Sequence, residues 1–90
     1  MRLFRRARAG PPPALRLLSR SGCHLCEEMK GVVGPLVRSL GGTLEVVDVD
    51  SNPALAERWG NEIPVLLDEE GRVVAKARDG ATRIARRLGR

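Results

Sequence analysis

The chain has 90 residues, enough for one domain, and a formal net charge of +5 from 16 basic and 11 acidic residues. No segment approaches the ~18 consecutive apolar residues that a membrane-spanning helix needs. We therefore expect one small domain and no membrane partner.

The excess positive charge lies at the two ends of the chain. Residues 1–13 carry four arginines and no acidic residue, and residues 78–90 carry five arginines against Asp79. A basic surface can attract nucleic acid. However, Phe4 and Trp59 are the only aromatic residues, so the chain lacks the stacking surface of single-strand binders. We expect solvated ends and no nucleic-acid partner.

The first residues are predicted to stand apart from the folded domain. Residues 11–13 are all proline, which excludes a helix, and we expect residues 1–13 to form a disordered, basic, Pro-rich arm before a domain at residues 14–90. The arginines could begin a signal peptide, but the apolar run that should follow is missing. We therefore expect a cytoplasmic protein.

The first half of the domain predicts a strand, a helix and a second strand. Residues 14–19 are mostly apolar, as in a strand covered on both faces. The chain then turns at residues 22–26 into a helix, whose apolar positions recur every three or four residues. These positions are Met29, Val32, Val33, Leu36, Val37 and Leu40. Pro35 should kink this helix, and the glycines at 41 and 42 should end it.

The next elements are a strand at residues 43–49 and a short helix. Asn52 is a favourable N-cap and Pro53 suits the first helical position, so we expect this helix to end near residues 59–60.

Residues 65–67 and 72–76 predict two strands, joined by a tight hairpin link at residues 68–71. Residues 81–88 predict a last helix with Ile84 and Leu88 facing inward. The resulting order, βαβαββα, predicts an α/β fold with a four-stranded mixed sheet and helices on both faces.

The two cysteines, Cys23 and Cys26, are three positions apart where the first strand meets its helix. A bridge across so short a loop is a weak structural staple, and in a reducing compartment such a pair is more often catalytic or metal-binding. Unpaired N–H groups and the helix dipole lower the pKa of a thiol at the helix start. We predict that Cys23 is the nucleophile and Cys26 the resolving thiol.

Other uses of the cysteine pair stay open. A structural zinc ion needs four protein ligands, whereas the chain offers two cysteines and His24, so we expect no metal ligands. Cys23 from two chains could instead hold an iron–sulfur cluster alongside glutathione. A non-catalytic adaptor of the same fold is a third function class.

Two separated motifs carry a family resemblance. Residues 19–26 (SRSGCHLC) look like the active-site strand and turn of glutaredoxin-like proteins. Residues 47–60 and the run Ile63-Pro64-Val65-Leu66 resemble the middle of thioredoxins and glutaredoxins. Over about residues 14–88, the chain thus resembles a glutaredoxin-like protein of the thioredoxin-fold superfamily. The resemblance implies a thioredoxin-like fold and thiol-disulfide oxidoreductase activity.

The resemblance also implies a substrate site. It implies a cis peptide bond before Pro64, which would face the cysteines, and an Ile63 backbone that pairs with an extended substrate peptide. The implied substrate- or glutathione-binding residues are Arg20, Ile63, Pro64, Asp79 and Gly80.

The chain departs from common glutaredoxins between the cysteines and before the last helix. His24 and Leu25 stand where common glutaredoxins have proline and an aromatic residue, and Gly80 stands where they have two glycines. We expect a monomer with no tightly bound cofactor. Its partners would be protein disulfides or glutathione mixed disulfides, with glutathione as a possible co-substrate.

Overall fold

A computed structural model of the protein describes residues 11–77 and 81–88. It confirms the predicted order of elements and a thioredoxin-like α/β fold. The elements are β1 (Ala14–Ser19), α1 (His24–Ser39), β2 (Thr43–Asp48), a 3₁₀ turn (Val49–Ser51), α2 (Pro53–Trp59), β3 (Val65–Leu67), β4 (Val73–Lys76) and α3 (Ala81–Arg87). Residues 1–10 lie outside the described residues, so the disordered arm stays a prediction.

The four strands form one mixed sheet in the order β2-β1-β3-β4. β1 is parallel to β2, while the β1–β3 and β3–β4 pairs are antiparallel. The register places Ser19 beside Asp48, and Leu18 beside Val65. Three connections therefore meet at one edge, which we call the site end of the sheet. They are the segments that follow β1, follow β2 and precede β3.

Apolar side chains cover both faces of the sheet. On one face α1 and α3 pack against β1, β3 and β4; the buried residues are Leu15, Leu17, Met29, Val33, Val37, Leu66, Val74, Ala75 and Ile84. On the other face lies α2, and the buried residues are Leu18, Val49, Trp59, Val65 and Leu67. The predicted helices on both faces are confirmed, and Ile84 faces inward as expected.

The glycine pair after α1 ends the helix in a Schellman motif. Gly41 has φ = +74°, and the N–H of Gly42 donates to the carbonyl of Val37 at 2.9 Å. A side chain at residue 42 would collide with the carbonyl of Pro13, which accepts a hydrogen bond from the N–H of Thr43 at 2.9 Å. The glycines thus allow the chain before β1 to lie against the start of β2. α1 itself continues through Pro35.

The transition from β2 to α2 depends on two side-chain caps. β2 ends one residue earlier than predicted, because the Asp48 carboxylate accepts the N–H of Asp50 at 2.9 Å and bends the chain into the 3₁₀ turn. Asn52 then caps α2, accepting the N–H groups of Ala54 at 2.9 Å and Leu55 at 3.3 Å. The predicted cap at Asn52 and the first helical position at Pro53 are confirmed.

Replacing each of two neighbouring valines in β4 by alanine tests which of them belongs to the hydrophobic core. Val74 is 8% exposed and Val73 is 42% exposed, and both lie in the same strand. Val74→Ala should lower the free energy of unfolding by about 2 kcal/mol, since it removes two buried carbons and leaves a cavity. Val73→Ala shares the change in β propensity and should cost clearly less. Urea unfolding measures both values, and equal losses would contradict this packing.

Candidate active site

A tight turn after β1, which we call the Cys23 turn, places the first cysteine at the start of α1. It spans residues 20–23 and is closed by the N–H of Cys23 donating to the carbonyl of Arg20 at 3.2 Å. Gly22 has φ = +77°, a conformation that other residues rarely adopt. The sequence thus supplies glycine where the turn needs it, and Cys23 becomes the N-cap of α1.

Cys23 and Cys26 are joined by a disulfide, with their Cα atoms 5.2 Å apart. The N–H of Cys26 donates to the Sγ of Cys23 at 3.1 Å, so this sulfur occupies the N-cap acceptor position. Cys26 is 1% exposed, whereas Cys23 is half-buried. Of the two, Cys23 is therefore the cysteine that a substrate can reach. After reduction, the helix dipole and the N–H donor favour a thiolate there.

The two residues between the cysteines lie on the surface. The His24 side chain is 86% exposed and its Nε2 lies 2.9 Å from a carboxylate oxygen of Glu28, one helical turn later. Leu25 is 37% exposed. An exposed pair of this kind contributes little to stability.

The Ile63–Pro64 peptide bond is cis, as the family resemblance implies. Pro64 is buried and Ile63 is half-buried. Because Val65 pairs with Leu18 near the carboxyl end of β1, this peptide bond lies at the site end of the sheet. The structure thus brings residues 63 and 64 to the edge that carries the Cys23 turn.

The Arg20 side chain is held by two partners inside the protein. Its Nε and one terminal nitrogen donate to the two carboxylate oxygens of Asp50 at 2.9 and 3.0 Å, and its other nitrogen donates to the carbonyl of Gly60 at 3.3 Å. The hydrogen bond with Arg20 holds the pKa of Asp50 below its usual value and raises that of Arg20. The role of Arg20 as a glutathione ligand stays a prediction.

Asp50 is the residue of this site that the sequence did not single out. It lies 30 positions after Arg20, and no local motif links the two. The parallel pairing of β1 and β2 would have been a usable signal, because residues that follow the carboxyl ends of parallel strands meet at one edge.

The remaining predicted ligands, Asp79 and Gly80, lie outside the described residues. Within residues 11–77 and 81–88, no three His, Cys, Asp or Glu side chains are grouped as a metal site. The same residues contain no helix of the length and apolarity that a bilayer crossing requires.

A groove of about 520 Å³ lies between α1 and the edge strand β2. Its lining includes Lys30, Pro35, Arg38, Leu44 and Val46. Neither cysteine lines the groove, although Glu27, the residue after Cys26, does.

Comparison with known families identifies this arrangement. The glutaredoxin-like domain family (DUF836) matches residues 14–88, which include the Cys23 turn and the Ile63–Pro64 peptide bond. The chain belongs to the glutaredoxin-like family. The match ends at the last described residue of this glutaredoxin-like domain, Leu88.

Solved structures show the same fold. A protein from X. campestris has a TM-score of 0.70 at 30% identity, and the alignment covers 82% of this chain and 93% of that one. A protein from Nitrosomonas europaea has a TM-score of 0.72 at 30% identity, covering 84% and 91%. Oxidized mitochondrial thioredoxin 3 of Saccharomyces cerevisiae has a TM-score of 0.58 at 20% identity, covering 97% and 84%.

Curated relatives come from mycobacteria. An uncharacterized protein of Mycobacterium tuberculosis is 33% identical over 60 residues, and so is one of Mycobacterium bovis. The match covers 61% of this chain and 62% of each relative, so the chain spans about three fifths of their length.

The difference in burial between the two cysteines predicts an order of alkylation. In the reduced domain at neutral pH, iodoacetamide should modify Cys23 many times faster than Cys26, because alkylation needs an accessible thiolate. Mass spectrometry of quenched, digested samples measures both rates. In urea the two rates should converge, which provides the control. Faster labelling of Cys26 in the folded domain would contradict the assignment.

The Arg20–Asp50 pair predicts a pH-dependent contribution to stability. The pKa of Asp50 is lower in the folded protein than its ordinary value of 3.8. The ionised carboxylate therefore stabilises the fold at pH values above 3.8, and this stabilisation is lost as the pH falls through the folded-state pKa. Asp50→Asn should therefore lower the urea midpoint at pH ~7, and the difference from wild type should disappear near pH ~2. An equal deficit at both pH values would contradict the ion pair.

Proposed function

We propose that this chain is a thiol-disulfide oxidoreductase that exchanges disulfides through Cys23 and Cys26. One observation carries the proposal: on a thioredoxin-like fold, a bonded cysteine pair has a reachable sulfur at a helix N-cap and a buried sulfur one turn later. A purely structural bridge would gain little from so short a loop.

The proposed reaction proceeds in two exchange steps. In the reduced enzyme, the Cys23 thiolate attacks one sulfur of a substrate disulfide, and the other substrate sulfur leaves as a thiolate and takes up a proton. Cys26, deprotonated, then attacks Cys23 in the mixed disulfide and releases the second substrate thiol. Two electrons and two protons pass from the enzyme dithiol to the substrate, and the Cys23–Cys26 disulfide remains.

Protein disulfides are the proposed substrates. An extended peptide can pair with a backbone edge, and the family resemblance gives this role to Ile63, which is half-buried before the buried Pro64 at the site end. There the peptide would present its own sulfur to Cys23. The domain would act as a monomer in the cytoplasm, without a tightly bound cofactor.

Glutathione is the proposed electron donor, because the family is glutaredoxin-like. The proposed contacts are the Ile63 backbone, Pro64, Arg20 and the segment at Asp79 and Gly80. The Arg20 guanidinium donates to Asp50 and Gly60 through three of its five N–H groups, so a glutathione carboxylate would have to approach the other two beside these partners. Recycling by glutathione and glutathione reductase, compared with a thioredoxin-reductase system, tests this donor.

Serine variants of the two cysteines test the exchange reaction. Cys23→Ser should abolish reduction of a protein disulfide, since it removes the attacking thiolate. Cys26→Ser should instead accumulate a mixed disulfide on Cys23, because the resolving thiol is gone. Turnover assays and intact-protein mass spectrometry measure the two outcomes.

Substitution of a serine that lies far from the two cysteines provides the control. Ser39→Ala, at the far end of α1, should keep wild-type turnover. Activity retained by Cys23→Ser would contradict the proposed mechanism. The mechanism would also be contradicted if Cys23→Ser formed a mixed disulfide on Cys26 as fast as the wild-type protein forms one on Cys23.

A further inference from the structure

We infer that Arg20 is a positioning residue that holds the Cys23 turn at a fixed place relative to the segment of residues 60–64, which we call the Ile63 segment. The inference rests on the proposed function, since it concerns how a peptide disulfide is presented to Cys23. It assigns Arg20 and Asp50 a role within the protein, in place of a direct contact between Arg20 and the peptide substrate.

The first connection is through the backbone of Arg20. Its carbonyl accepts the N–H of Cys23 at 3.2 Å and so closes the turn that carries the nucleophile. A displacement of Arg20 at the end of β1 would therefore move Cys23 as well.

The second connection is through the side chain, to the Ile63 segment. One guanidinium nitrogen donates to the carbonyl of Gly60 at 3.3 Å. A Cβ atom at residue 60 would lie 3.2 Å from an Arg20 nitrogen and would collide with the carbonyl of Ala56. Two residues on, the N–H of Glu62 donates to the carbonyl of Trp59 at 2.8 Å. Arg20 thus fits closely against the first residue of the segment that leads to Pro64.

Asp50 orients the guanidinium that makes this connection. The two-pronged contact at 2.9 and 3.0 Å fixes the plane of the guanidinium group, because each carboxylate oxygen takes one N–H donor. Asp50 is itself held, since its N–H donates to the Asp48 carboxylate at 2.9 Å. A lysine at position 20 could not reproduce the planar fork, so the geometry requires arginine.

This arrangement predicts which substrates depend on Arg20. A peptide disulfide must contact the Ile63 backbone and Cys23 together, so its exchange depends on the distance between the two. A small disulfide needs only Cys23. Loosening the Arg20–Asp50 pair should therefore slow exchange with a protein disulfide and spare exchange with a small one.

Two conservative variants test the inference with insulin as the protein disulfide and 2,2′-dithiodipyridine as a small, uncharged one. Arg20→Lys and Asp50→Asn should each lower the second-order rate constant for reduction of insulin by the pre-reduced enzyme by about tenfold, the kind of loss expected from a small misplacement of reacting groups. The rates with 2,2′-dithiodipyridine should stay within about twofold of wild type. The double variant should be no slower than either single variant, because both remove one linkage.

The β3–β4 link offers a matched control. There Arg72 pairs with Asp68 at 3.0 Å, an exposed contact of the same chemistry at the end of β3 away from Val65. Arg72→Lys and Asp68→Asn should leave both rates unchanged. Circular dichroism and a urea midpoint check that all four variants are folded.

The outcomes separate this inference from the proposed function. A loss in Arg20→Lys without a loss in Asp50→Asn would overturn it, since Arg20 would then contact the substrate directly. Wild-type activity in both variants would also overturn it. If wild type reduced neither disulfide, the proposed function would fail. Amide hydrogen exchange would then decide: faster exchange at Cys23 and Glu62 together in Asp50→Asn supports the coupling, and unchanged rates overturn it.

Discussion

The hydrogen bond from the N–H of Cys23 to the carbonyl of Arg20 determines where everything else at the site can lie. It closes a turn that only a residue tolerant of positive φ, Gly22, allows, and it starts α1 with a cysteine as its N-cap. From that start, the helix periodicity buries Cys26 and leaves Cys23 reachable. The same geometry aims the N–H of Cys26 at the Cys23 sulfur.

The small size of the domain concentrates its function at one edge. With four strands and apolar residues on both faces of the sheet, the connections at the site end are short and are held by polar contacts. Asp48 and Asn52 hold the connection after β2 through their side chains, and Arg20 joins the turn after β1 to Gly60 in the segment before β3. An exposed ion pair contributes little to global stability in general. At this edge, the inferred role of the Arg20–Asp50 pair is to hold the Cys23 turn in position.

Local chemistry explains which features could be predicted from the sequence. Gly41, Asn52 and Gly71 each adopt the cap or turn conformation that their residue type favours. The end of α1, the start of α2 and the turn between β3 and β4 were therefore predictable. The cysteine pair and the Ile63–Pro64 peptide bond were recognisable because their motifs are contiguous. The Arg20–Asp50 contact was not, because it joins residues 30 positions apart through strand pairing. The early end of β2 was missed because the Asp48 carboxylate, rather than an apolar pattern, sets it.

The most direct test of disulfide exchange at Cys23 is the structure of a trapped reaction intermediate. Cys26→Ser, incubated with a disulfide-bonded peptide, should yield a crystal structure with the peptide sulfur bonded to the Sγ of Cys23. The peptide should lie extended along the Ile63 backbone. A peptide bound to Cys23 but lying away from Ile63 would contradict the proposed substrate site. Failure of any adduct to form on Cys23, under conditions that modify an unfolded control, would contradict the proposed exchange reaction.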